Sequence, residues 1–276
     1  MNKAKYFSIV FCLFLVLPLL LLTTSGVDAE QDTKENINLG NWTEPELDAL
    51  IREKSKKSGA SEQIEFLSEK FLRTPYVGHT LTGDTDTPEV LTINLGGMDC
   101  FTYIDYVEAL RISETYLEFK NNLKHIRYRE GEISFQNRNH FFSDWPVNNP
   151  GNIKDVTHEI GGDKAVSVKK TLNIKKDGSK YLPGIPATER EFYYIPSGVI
   201  DEEMVSKLNS GDYVGIYTEL PGLDVTHTGI VIKKNGRAYL RHASSRNVND
   251  KVVDEGLLEY MQNKPGLVVF RPVSIR

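Results

Sequence analysis

His227-Thr228-Gly229-Ile230-Val231-Ile232-Lys233-Lys234-Asn235-Gly236-Arg237-Ala238-Tyr239-Leu240-Arg241-His242 reads as two strands joined at Asn235-Gly236, the dipeptide that best supports a tight two-residue turn. Such a turn pairs Lys234 with Arg237. Counting back along both strands then sets His242 opposite Gly229. His227 stands two residues before Gly229, on the same side of its strand, so it is a diagonal neighbour of His242 at roughly 7 to 8 Å between backbones. Two imidazoles can hydrogen-bond at that spacing, and Gly229 leaves the gap between them unfilled. One ring can thereby orient the other against a nucleophile.

On either side of this hairpin, Asp212 to Thr218 and Leu267 to Val273 alternate as strands of an antiparallel sheet. The nucleophile for the histidine pair is found upstream. Leu91, Ile93 and Leu95 alternate with Thr92 and Asn94 before Gly96-Gly97 ends a strand, and Tyr103, Ile104, Val107 and Leu110 then mark a helix. Asp99 is its natural N-cap and Cys100 its first residue. Unpaired N–H groups and the positive dipole end favour a thiolate there, so alkylation is expected well below pH 8.5, roughly the unperturbed thiol value. The same N–H groups can hold an oxyanion. Taken without its surroundings, Cys100 also fits a buried small hydrophobe.

Further upstream, Thr43 and Glu46 have capping-box spacing ahead of Leu47, Leu50 and Ile51, predicting a helix within Asn41 to Lys57. Ser61 to Leu72 predicts a second helix, with Ile64, Leu67 and Phe71 on one face. Arg73-Thr74-Pro75-Tyr76 breaks it, and Thr80 to Pro88 has loop composition. The chain is 276 residues long and 39% hydrophobic, an ordinary globular balance that allows one large domain or two smaller ones. A net charge of −5 without a basic stripe excludes a general nucleic-acid binder. Lys3, Lys5, the apolar run Phe7 to Leu22 and the small residues ending at Ala29 predict a cleaved signal peptide over residues 1–29. Its apolar run is short for a membrane span, so secretion or a periplasmic location without stable membrane insertion is expected. Cleavage also removes Cys12, leaving Cys100 with no partner for an internal disulfide. Zinc on His227, His242 and Asp224 would lack a second close ligand pair, and no Gly-x-Ser-x-Gly turn, phosphate loop or dinucleotide glycine pattern is present.

Asp99-Cys100 opening a helix, His227-Thr228-Gly229 opening a strand and Leu240 to Ser244 on the next strand resemble the NlpC-type papain-like cysteine hydrolases of bacterial cell walls. Arg73 to Val77, Asp99 to Leu110, Arg138 to Trp145 and Leu223 to His227 resemble more closely the N-acetylmuramoyl-L-alanine amidase-like branch. This resemblance implies an α+β fold: a papain-like core with the nucleophile helix on an antiparallel sheet, and extra N-terminal helices over about 41–72. Residues 30–276 would form a single domain. It implies hydrolysis of peptidoglycan fragments without cofactor or metal, with Cys100 as nucleophile, His227 as base and His242 orienting His227. Tyr76, Asp99, His140, Trp145 and Asp224 become candidate substrate contacts, with ordinary core left open for Trp145 and a turn cap for Asp224. Asp105 and Phe141 stand where this branch carries Glu and Tyr. The same catalytic residues would serve an endopeptidase cutting between D-glutamate and a diamino acid, and a non-catalytic wall-binding module is the third reading.

Overall fold

The computed structural model describes Met1, residues 35–246 and residues 250–274; apart from Met1, the expected leader lies outside the described residues. The described residues from 35 onward form one compact unit. It opens with strand β1 (Asn36–Asn38), helices α1 (Glu44–Lys54) and α2 (Gly59–Glu69), and strand β2 (Thr92–Asn94), which pairs in parallel with β1. The expected box starts α1: Thr43 Oγ1 accepts from the Glu46 N–H at 3.4 Å, and Glu46 Oε2 accepts from the Thr43 N–H at 2.8 Å. Next come α3 (Cys100–Arg111), α4 (Tyr116–Arg127), α5 (Asp144–Asn148), β3 (Ile153–Asp155) and α6 (Thr157–Gly161). The remainder is β4 (Val166–Leu172), β5 (Thr188–Pro196), α7 (Glu202–Ser206), β6 (Tyr213–Tyr217), β7 (Val225–Lys234), β8 (Arg237–Ser244), β9 (Lys251–Gly256), α8 (Leu257–Met261) and β10 (Gly266–Pro272).

Eight of these strands form one antiparallel sheet in the order β4-β5-β10-β6-β7-β8-β9, with β3 also on β10. The β7–β8 hairpin has the predicted register, from Lys234 opposite Arg237 to Ile230 opposite Arg241. Asn235 (φ 52°) and Gly236 (φ 77°) both take the left-handed backbone that this turn requires. Alternation along the strands buries both faces. Tyr213, Ile230, Ile232, Val268 and Phe270 meet the layer containing α1 to α4, whereas Val214, Ile216, Val231, Leu240 and Val269 meet residues of α6, α7 and α8. The result is a mixed fold with helices on both sides of an antiparallel sheet. No helix of the described residues is long and apolar enough to cross a membrane.

Helix α3 is tied to the sheet by a buried polar cluster. Glu108 accepts from Arg111 Nε at 2.8 Å and Nη2 at 2.6 Å, and from the Tyr213 hydroxyl of β6 at 2.8 Å. Asp105 forms a second buried bridge, to Arg127 of α4 at 2.9 Å, and Arg127 also donates to the Thr92 carbonyl at 2.6 Å. Burial pushes the Asp105 carboxyl up to about 6, opposed by the Arg127 charge, so the pair is ionised at neutral pH. Asp105 thus ties α3 to α4 through Arg127.

Candidate active site

The start of α3 is built by Asp99. Its Oδ1 accepts from the N–H groups of Phe101 at 3.0 Å and Thr102 at 2.8 Å, while Thr102 Oγ1 accepts from the Asp99 N–H at 3.0 Å. This reciprocal cap fixes Cys100 as the first helical residue. The Thr228 hydroxyl then donates to the Cys100 carbonyl at 2.8 Å, joining the helix start to β7. Cys100, Phe101, His140, Phe141, Phe142 and the run Leu223 to Thr228 line one cavity of about 160 Å³.

The histidines meet as the register required. His227 Nε2 lies 2.6 Å from His242 Nδ1, with the rings perpendicular and their centroids 4.8 Å apart. A Cβ on Gly229 would sit 2.6 Å from Leu240 Cδ1 and 3.0 Å from the His242 Cβ, so glycine keeps this gap open. Tyr260 of α8 covers both rings, edge-on to His242 with centroids 5.2 Å apart and tilted at 6.2 Å from His227. No hydrogen bond joins Cys100 to His227, although both line the cavity. Catalytic hydrogen bonds are often this loose before substrate is bound.

The electrostatics overturn the expected resting thiolate. Cys100 touches solvent through the cavity, but burial of its sulfur, followed by the neighbouring Asp99 carboxylate, pushes the thiol up to about 11 against the opposing Thr228 contacts. Burial, followed by His242, drives His227 down to about 3, so its imidazole is neutral. The resting pair is a thiol and an uncharged base. Because only the thiolate is alkylated, the rate with iodoacetamide should rise about tenfold per pH unit through pH 9, without levelling by pH 8.5. A plateau below pH 8.5 would restore the thiolate.

The candidate substrate contacts divide sharply. Tyr76 lies near Cys100 and Asp99, and burial first, then these neighbours, raises its pKa, keeping the phenol protonated. His140 lines the cavity with its Nε2 2.7 Å from the Phe135 carbonyl, and burial drives it down to about 4. Asp99 is engaged in capping. Trp145 is fully buried, edge-on to Tyr213 at 4.9 Å and to Phe101 at 6.2 Å, so its indole offers no face to a sugar and it belongs to the core. Asp224 lies at the cavity wall, but its oxygens accept from the N–H groups of Ser143 at 2.7 Å and Val225 at 2.7 Å. It braces the loop before β7, the capping role. Arg138 and Asp144 are likewise engaged, with Glu89 and Arg190 respectively.

Three neighbours of the site escape sequence reasoning: Thr228, Tyr260 and Glu255, whose Oε1 lies 3.0 Å from His242 Nε2. The β8–β9 register could have pointed to Glu255, since it pairs Leu240 with Glu255 and His242 with Val253. Among the described residues no group of three or more His, Cys, Asp or Glu could hold a metal ion.

A helix-capped cysteine and His227 thus line one cavity, with His242 contacting His227 from the adjacent strand. Residues 66–267 match the family model of AmiA-like, N-acetylmuramoyl-L-alanine amidase-like proteins, and the chain belongs to that family. An N-acetylmuramoyl-L-alanine amidase of Bacteroides uniformis is 29% identical, with 76% of this chain and 98% of that chain covered and a TM-score of 0.64. A protein of Legionella pneumophila shares the fold at 22% identity and a TM-score of 0.70, over 83% of this chain and 94% of that one. No curated protein matches the chain.

Proposed function

We propose that the protein is a cysteine N-acetylmuramoyl-L-alanine amidase on a papain-like, NlpC-type core, acting on muropeptides outside the cytoplasm after removal of residues 1–29. The observation that carries this reading is the 2.6 Å contact of His242 with His227, which lines the same cavity as Cys100. With thiol and imidazole both neutral at rest, the proton moves as the bond forms. Cys100 Sγ attacks the lactyl carbonyl while His227 takes the thiol proton. The donor left at the helix start for the tetrahedral oxyanion is the Cys100 N–H, since the next two helix N–H groups are held by Asp99. Collapse breaks the carbon–nitrogen bond, and the proton passes from His227 to the amine of L-alanine. Water then cleaves the thioester, giving its proton to His227 and on to the sulfur.

His242 orients His227, a task an amide can share. His242→Asn should lower kcat about tenfold, well short of abolishing it, because orientation is a fraction of what general base catalysis supplies. Steady-state kinetics check this, and an Asn variant as inactive as one lacking the nucleophile would make His242 indispensable.

With Trp145 in the core, Tyr76, His140 and Phe141 remain to meet the sugar. An amidase of this kind splits a purified muropeptide into free saccharide and an intact stem peptide beginning with L-alanine, as mass spectrometry would read. The same stem without sugar should remain uncut. Its cleavage after D-glutamate would replace the amidase with the endopeptidase.

A further inference from the structure

Behind His242, away from His227, stands a carboxylate for which the reaction just described has no role. Glu255 Oε1 lies 3.0 Å from His242 Nε2, and Glu255 Oε2 accepts from Arg246 Nη1 at 3.2 Å. The Arg246 guanidinium also lies over the Tyr260 ring, 4.9 Å from its centroid. We propose that Glu255 is a positioning residue which, through His242, selects the ring nitrogen of His227 that accepts the thiol proton.

The argument is one of donors and acceptors, and it rests on the amidase reading for its catalytic consequence. A carboxylate only accepts, so Glu255 requires His242 to carry its proton on Nε2. A neutral His242 then presents Nδ1 as a bare acceptor. The 2.6 Å contact is satisfied only when His227 donates from Nε2, which leaves His227 Nδ1 unprotonated. That nitrogen is the base.

The surrounding charges bear on the premise that both rings are neutral. His242 faces Glu255, Arg246 and Asp254, and burial outweighs the two carboxylates to lower its pKa. His227 faces His242, Lys264 and Arg246, all of which disfavour a second positive charge. Both rings are thus uncharged near neutrality, and the tautomer chain has a single direction set at the Glu255 end. Reversing it would put the His227 proton on Nδ1 and leave no base for Cys100.

Glu255→Gln separates this role from simple packing because it keeps the size and shape of the side chain. An amide has one acceptor oxygen where the two carboxylate oxygens face donors that include His242 and Arg246. In one of its two orientations its NH2 donates to His242 Nε2 and reverses the chain. Nitrogen-15 spectra of histidine-labelled protein near pH 7 should show His227 and His242 protonated on Nε2 in the wild type, and mixed tautomers in the variant. The variant's kcat on a muropeptide should fall about threefold, as a mixed tautomer population requires and within the roughly tenfold lost with His242 itself, with KM changed less than twofold. A wild-type His242 protonated on Nδ1, or a Glu255→Gln enzyme with wild-type kcat, would overturn the proposal. The wild-type spectra decide it even if the variant does not fold. They also decide it if no muropeptide is cut, a result that would count against the amidase and leave the tautomer chain standing on its own.

Discussion

Cys100→Ala should fold normally and lose all measurable muropeptide hydrolysis, and His227→Ala should do the same. In a nucleophile–base pair acting as a unit, loss of either member costs about a millionfold in kcat, and loss of both costs little more. The double variant should therefore be no worse than either single one. Folding is spared because the structural duties of Cys100 are performed by its backbone, whose carbonyl receives the Thr228 hydroxyl. Those contacts survive in alanine. Far-ultraviolet circular dichroism and thermal unfolding establish the fold, and muropeptide turnover reads the loss. A Cys100→Ala protein that turns over at the wild-type rate would remove the nucleophile from the mechanism.

The second large effect is on stability and falls at the other end of the same helix. Glu108→Ala strands the Arg111 guanidinium and the Tyr213 hydroxyl inside the protein, because Glu108 and Arg111 are both almost wholly inaccessible to solvent. An uncompensated buried charge costs about 3 to 5 kcal/mol. Urea unfolding should show the midpoint fall accordingly. Replacing both partners with apolar residues, Glu108→Leu with Arg111→Met, should recover most of that loss, since it leaves no buried charge. A Glu108→Ala variant within about 1 kcal/mol of wild type would mean that water or another group reaches Arg111.

The parts of the site legible in the sequence are those set by local rules. Asn235-Gly236 fixes a register, and the register brings His227 and His242 together across Gly229. Asp99 announces a helix start, and the capping box realises it at Cys100. Burial is not local, and there the sequence misleads. Trp145 lies on a five-residue helix too short to display a period, so nothing in its spacing tells a sugar platform from a core residue. Asp224 looks available until the Ser143 N–H arrives from far along the chain. The thiol shows the same limit, because a helix start is visible in sequence whereas the packing around the sulfur is not. Strands β4 and β5 escape notice because Lys169, Lys170, Glu189, Arg190 and Glu191 interrupt their apolar residues on a largely exposed ladder.

The protonated resting state of Cys100 carries a consequence for its resistance to oxidation. Peroxides attack thiolates, and the path from sulfenic to sulfinic acid begins with that attack. A sulfur held near pKa 11 presents almost none of the vulnerable form while the enzyme waits. On the proposed mechanism the thiol gives up its proton only as it attacks a substrate carbonyl. Burial would then trade readiness for durability, leaving the sulfur chemically quiet between turnovers.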